Sequence, residues 1–279
     1  MNLLNREFLL VDKPAGLSSF AVVARVRRIL TEQMREDYAK RGTQAPKRAK
    51  VGHAGTLDPF ATGLLICLLG KGTKKAGEFL KKDKRYEATI CLGKVSTTGD
   101  IEGEISEYHV GASRLNRNGC LGSCQALPYE SSNEQSSFSA SREPAPVTPS
   151  SPMLITDLPT LEQVRFTISQ FQGKIRQRVP AYSAVKIDGR RAYDLARKGI
   201  EVEMPEREVE IYEISVVSYE WPYLKIDCKV SSGTYIRALG EDIGKALGVG
   251  GYLTSLRRTE VGDFSVKDAV TLEELGVTS

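Results

Sequence analysis

Histidine is nearly missing from this chain: its 279 residues include only His53 and His109. A His-rich metal centre is excluded by that count, and a Ser-His-Asp triad would rest on a single residue. Cysteine is sparse as well. Its five copies (Cys67, Cys91, Cys120, Cys124, Cys228) are odd in number and scattered, which points to a reducing compartment and away from a disulfide framework. Cys120 and Cys124 are close, but only His109 is near them, too few ligands for a metal. No apolar run approaches the roughly 18 residues that span a bilayer. Met1 to Arg6 carries no basic-then-apolar leader. A cytoplasmic protein with no membrane partner is therefore expected. Nucleotide signatures are absent too. Gly70-Lys71-Gly72-Thr73 lacks the spacing of a P-loop, and no Gly-x-Gly-x-x-Gly follows a strand.

What is present is ordinary in bulk. Apolar residues make up 41% and charged residues 27%, as in a soluble globular protein of one large or two modest domains. The net charge of +4 is unevenly spread. Residues 1–107 hold 19 Lys+Arg against 13 Asp+Glu, residues 108–156 hold 3 of each, and residues 157–279 hold 17 against 19. The basic excess of the first segment suits a polyanion partner, although a merely solubilising surface would look the same.

Along the chain, Phe8-Leu9-Leu10-Val11 reads as a buried strand ending in the turn Asp12-Lys13-Pro14-Ala15-Gly16. Ser18 or Ser19 can cap a helix whose buried face is Val22, Val26, Ile29 and Leu30. Arg35 to Lys50 is polar and basic without periodicity and reads as a flexible loop that could lie against RNA. Residues 85–92 alternate like a half-buried strand. Residues 108–156 are rich in Ser and Pro and read as a disordered insertion, since they cannot bury enough apolar surface to offset their ordering entropy. Thr160-Leu161-Glu162-Gln163 is a capping box. A helix is expected near Arg190 to Lys198, stopped by Gly199. Residues 209–219 and 223–230 read as paired strands. Gly233-Thr234-Tyr235-Ile236-Arg237 opens a last helix. Strands and helices mix without strict βαβ alternation, so the class is α+β with a mixed, mostly antiparallel sheet flanked by helices.

The chemistry concentrates in Gly52-His53-Ala54-Gly55-Thr56-Leu57-Asp58-Pro59-Phe60-Ala61-Thr62-Gly63. The glycines permit close approach of a ligand. Pro59 pushes Asp58 towards extended or turn geometry, so its carboxylate should project from a loop. By itself an Asp-Pro in a Gly-rich loop is usually only a turn. Its wording, however, resembles the signature of the TruB family of tRNA pseudouridine-55 synthases, Gly-His-x-Gly-x-Leu-Asp-Pro-x-Ala-x-Gly. Further blocks resemble that family in order: Val11 to Ser19, Lys84-Arg85-Tyr86-Glu87, Pro180 to Lys186 with Gly189 to Tyr193, Gly233 to Arg237, and Leu256-Arg257-Arg258-Thr259.

The resemblance implies a pseudouridine-synthase catalytic fold that isomerises the T-loop uridine of tRNA, with tRNA (its T-arm) as partner and no small-molecule cofactor. It implies Asp58 as the catalytic carboxylate, kept ionised by Arg237, and Tyr86 stacking on the flipped base and taking its C5 proton. Tyr235 and Leu256 would complete the pocket, and His53 would fill the gap left in the RNA. Lys13, Arg257, Arg258, the 35–50 loop and the group Lys71, Lys74, Lys75, Lys81, Lys82, Lys84 are candidate phosphate contacts. No residue is expected to bind metal. The catalytic domain is expected in 1–107 and 157–262, as a monomer, followed by a short tail at 263–279 in place of a full C-terminal RNA-binding module. Two other readings compete: a carboxylate-dependent glycosidase or nucleosidase, which would need a second carboxylate, and a non-catalytic RNA-binding protein.

Overall fold

The computed structural model describes residues 1–109, 158–183, 185–187, 189–197, 199–200 and 202–276. Residues 110–156 of the expected disordered insertion lie outside them. A nine-stranded sheet forms the centre. Its strands are β1 (Phe8–Lys13), β2 (Val51–Ala54), β3 (Thr62–Leu69), β4 (Lys84–Leu92), β7 (Gly173–Arg178), β10 (Glu206–Glu220), β11 (Tyr223–Val230), β12 (Gly251–Val261) and β13 (Phe264–Ser265). The main path runs β1-β3-β12-β4-β11-β10-β7, with β2 beside β3 and β13 beside β12. Small two-stranded ribbons pair β5 (Lys94–Ser96) with β6 (Ile105–Glu107), and β8 (Lys186–Ile187) with β9 (Arg190–Arg191). All sheet pairings are antiparallel except β3 with β12, so the α+β class with a mixed, mostly antiparallel sheet holds.

The sheet centre explains itself from alternation. Tyr86, Ala88, Ile90 and Leu92 of β4 are buried and meet Leu224, Ile226 and Cys228 of β11 and Leu253 and Leu256 of β12 in one core. Helix α5 (Ile236–Ala246) closes that core with Ile236, Leu239 and Ile243. Helix α3 (Leu161–Ser169) adds Val164 and Ile168, and both bonds of its capping box form at Thr160 and Gln163. A second core lies under α1 (Ser19–Lys40), where Val22, Val26 and Leu30 pack on Leu9, Val11 and Leu65. The remaining helices are short: α2 (Ala76–Lys81) and α4 (Ala192–Ala196).

Two sequence expectations change. Residues 35–40 are the last turns of α1 rather than a loop. Their charges mark a solvated helix face, anchored by Arg41 with Asp37 at 3.0 Å. Lys84 is also no part of a basic face: it is buried, and its ammonium donates to the carbonyls of Leu80 and Lys82.

Candidate active site

Asp58 stands in the loop between β2 and β3, and the segment 13–19 pins that loop. The Ser19 hydroxyl accepts from Leu57 N at 2.8 Å and donates to Leu57 O at 2.9 Å. Pro59 O accepts from Gly16 N at 2.9 Å and from Lys13 Nζ at 3.1 Å. Leu57, Phe60 and Ala61 sink into the main core on either side. Three buried neighbours and four hydrogen bonds thus hold one carboxylate that keeps 34% of its side chain exposed.

The carboxylate faces Arg237, whose Nε lies 3.1 Å from Asp58 Oδ2. Arg237 is the second residue of α5, where the helix dipole disfavours a cation. Four acceptors offset this. Besides Asp58, Nη1 donates to Thr98 O at 3.0 Å and lies 3.3 Å from Asp100 Oδ2, and Nη2 donates to Tyr182 O at 2.7 Å. The planar fork uses all three nitrogens, which a lysine could not reproduce. Asp100 is 2% exposed and is held by Thr98 Oγ1 at 2.5 Å and Glu102 N at 3.0 Å. Nothing in its surroundings, Thr97-Thr98-Gly99-Asp100, distinguishes it in the sequence from a turn residue; only the fold brings it to Arg237.

Burial pushes the Asp58 carboxyl above its ordinary value of 3.8. Arg237 and Lys13 draw it down and Asp100 pushes it further up, but desolvation is the largest effect. Arg237 therefore opposes the desolvation of Asp58 without outweighing it. The guanidinium is shared between two carboxylates, and the loop's packing removes most of the water.

Around Asp58 lies a cleft of about 430 Å³ lined by Tyr86, Tyr182, Ser183, Tyr235, Arg237 and Leu256, among others. Tyr86 comes from β4, opposite Cys228 on one side and Arg258 on the other. Leu256 comes from β12, opposite Ala88. Tyr235 caps α5, its backbone clasped by the Gln177 amide at 2.8 and 3.0 Å. The cleft thus gathers a carboxylate, a guanidinium, the phenols of Tyr86, Tyr182 and Tyr235, and apolar walls, a set suited to a planar, partly polar ring attached to a sugar.

Four sequence candidates are buried, paired or set apart from the cleft. Lys13 is fully buried and its ammonium donates to Pro14 O, Leu17 O and Pro59 O at 2.8, 2.6 and 3.1 Å. All three protons are committed to carbonyls, so it is not free to meet a phosphate, and burial lowers its pKa to about 8. Arg258 is likewise buried, donating to Leu64 O and Gly55 O, and Arg257 forms a two-pronged pair with Asp12. His53 sits half-buried on β2 beside β3, outside the lining of the cleft, and burial lowers its pKa. Among the described residues no group of three or more His, Cys, Asp or Glu is arranged to hold a metal.

A family model described as "TruB family pseudouridylate synthase (N terminal domain)" matches residues 41–143 and 152–236. A second, "tRNA pseudouridylate synthase B C-terminal domain", matches residues 237–278. The chain is similar to the tRNA pseudouridine synthase B of Bordetella avium, 39% identical over 269 residues that cover 96% of this chain and 85% of that protein. The namesake of Corynebacterium diphtheriae is 38% identical, over 96% of this chain and 71% of its own. Among solved structures, a Cbf5-Nop10-Gar1 complex aligns with a TM-score of 0.58 at 25% identity, over 96% of this chain and about half (53%) of the Cbf5-type chain.

Proposed function

The chain belongs to the TruB family of pseudouridylate synthases, and on that premise we propose that Asp58 is the carboxylate with which it isomerises uridine 55 of the tRNA T-loop to pseudouridine. The activity itself, conversion of uridine in tRNA to pseudouridine, is that of the family. One observation carries the assignment to Asp58: it is the carboxylate that both lines the cleft and touches the buried guanidinium of Arg237, at 3.1 Å.

The reaction breaks the N1–C1′ bond, turns the uracil, and joins C5 to C1′. The proton lost from C5 is matched by one gained at N1, so atoms and electrons balance within the nucleotide. The uridine must leave its stack to reach a cleft of this depth, which costs a few kcal/mol. Tyr86 and Tyr235 supply aromatic faces and Leu256 an apolar wall that offset this cost. Asp58, once ionised, stabilises or traps the electron-poor intermediate. Arg237 keeps the carboxylate aimed and balances its charge. The Tyr86 hydroxyl is the candidate acceptor for the C5 proton. Lys13 acts as a positioning residue for the 57–59 backbone, and His53 acts on the RNA rather than in the chemical step.

The exposed lysines Lys71, Lys74 and Lys81 belong to the basic first segment and suit the phosphates of the T-arm. Residues 1–107 and 157–262 work as one catalytic unit, and residues 263–276 pack onto it through β13 beside β12 and the buried Leu272. The protein acts as a monomer in the cytoplasm, where a reducing compartment suits the free, buried Cys67, Cys91 and Cys228. A glycosidase would need a second carboxylate facing the substrate. Asp100 is buried, bonded to its own turn, and absent from the cleft lining.

Tritium release from C5-labelled uridine in tRNA transcripts tests the proposal. The wild type should release tritium without free uracil, and Asp58→Asn should bind the transcript yet release none. Release by Asp58→Asn at the wild-type rate would overturn it.

A further inference from the structure

Two buried side-chain polar atoms among the described residues lack a hydrogen-bond partner, His53 Nδ1 and Ser183 Oγ. Of the two residues, Ser183 lines the cleft. It is 6% exposed, and its carbonyl is already taken by Tyr193 N at 3.1 Å. The carbonyl is therefore paired while the hydroxyl is not. Native proteins rarely leave a buried hydroxyl in that condition, because its desolvation is uncompensated. A group that enters the cleft with a hydrogen-bonding atom would complete it.

The neighbouring contacts say which part of the substrate that is. Tyr182, one residue earlier, gives its carbonyl to Arg237 Nη2 at 2.7 Å, and Arg237 Nε holds Asp58 at 3.1 Å. Ser183 thus belongs to the carboxylate's side of the cleft, where the sugar must lie for Asp58 to act. The walls that suit uracil, Tyr86 and Leu256, come instead from the sheet. A ribose presents a hydroxyl that both donates and accepts, which is what an unpaired serine can match.

We propose that Ser183 is a substrate-binding residue whose Oγ hydrogen-bonds the 2′-hydroxyl of the flipped uridine. It would make the site read ribose against deoxyribose at the nucleotide that reacts. The inference rests on the reading that Asp58 faces that sugar.

A four-way affinity cycle tests it. Dissociation constants are measured for wild type and Ser183→Ala with tRNA carrying either uridine or 2′-deoxyuridine at the target position. Each single change should weaken binding about threefold to tenfold, the worth of one hydrogen bond, and the two together should cost no more than one. Ser183→Thr, which keeps the hydroxyl, should retain the discrimination. Ser183→Cys, which keeps the volume and offers only a weak donor, should lose it even if the alanine variant folds poorly. Equal losses by Ser183→Ala on both RNAs would place the contact on the uracil edge or make the residue structural, and would overturn the proposal. So would unchanged affinity for the uridine form. The two proposals fail separately. Activity in Asp58→Asn sinks the reading of the site, whereas an inactive Asp58→Asn with additive losses in the cycle sinks only the role of Ser183.

Discussion

Asp58 and Asp100 share one guanidinium, yet their situations are opposite. Asp100 is 2% exposed and meets a hydroxyl, a backbone N–H and Arg237. Asp58 meets Arg237 and otherwise opens on the cleft. Its pKa is raised, chiefly by burial. For a raised carboxyl the fold prefers the protonated form. That preference is fully expressed below the ordinary value of 3.8 and is lost as pH rises through the shifted value, so ionisation at neutral pH costs stability. Asp58→Asn should therefore gain stability relative to wild type as pH climbs past 3.8, in urea unfolding followed across that range. Tritium release by the wild type should climb over the same interval, because the ionised form is the active one. A wild-type rate that stays flat from below 3.8 to neutrality would contradict this account. Bound RNA phosphates press in the same direction as burial and move the rate midpoint further up.

At the scale of elements, the catalytic loop depends on a close approach of two strands. Gly63 opens the parallel contact of β3 with β12 at φ +99°. A Cβ there would lie 2.3 Å from Arg258 O and 2.8 Å from Arg258 N, both backbone atoms that cannot swing aside. Gly63→Ala should therefore cost on the order of 1–3 kcal/mol from backbone strain alone, with the clash added, measured by urea unfolding. Activity should fall with it, because Arg258 also holds Gly55 O and Leu64 O on the two sides of the Asp58 loop. Wild-type stability in that variant would show that the strands can part freely. The same elements explain what could be read in advance. Local signals were legible: the alternation around Tyr86, the capping box at Thr160, and the helix opened at Ile236. Long-range pairings were not. Lys13 looks like a surface lysine until Pro59, 46 residues away, supplies its carbonyl. Asp100 looks like a turn until Arg237 arrives 137 residues later in the chain. Residues 35–40 lack an apolar stripe because that end of α1 is mostly solvent-facing, so periodicity could not detect it.

At the scale of the whole molecule, the site is shared between two lengths of chain on either side of residues 110–157. The first supplies Asp58, Tyr86 and Asp100; the second supplies Tyr182, Ser183, Tyr235, Arg237 and Leu256. They meet across the middle of the sheet. β4 is clasped between β11 and β12, with eight residue pairs in register on the β11 side alone, and α5 covers the join. Strand pairing and a common core, rather than the covalent link, hold these lengths together. Severing the link should therefore raise the entropic cost of assembly without removing a contact described in the cleft. A gene cut within codons 110–157 and expressed as two polypeptides should yield fragments that co-purify and, once mixed, regain tritium release. Neither fragment alone should release any, because the carboxylate and its guanidinium would then belong to different molecules. Half-enzymes of this kind would make pseudouridine formation a reporter of whether two other proteins, fused to the pieces, have met.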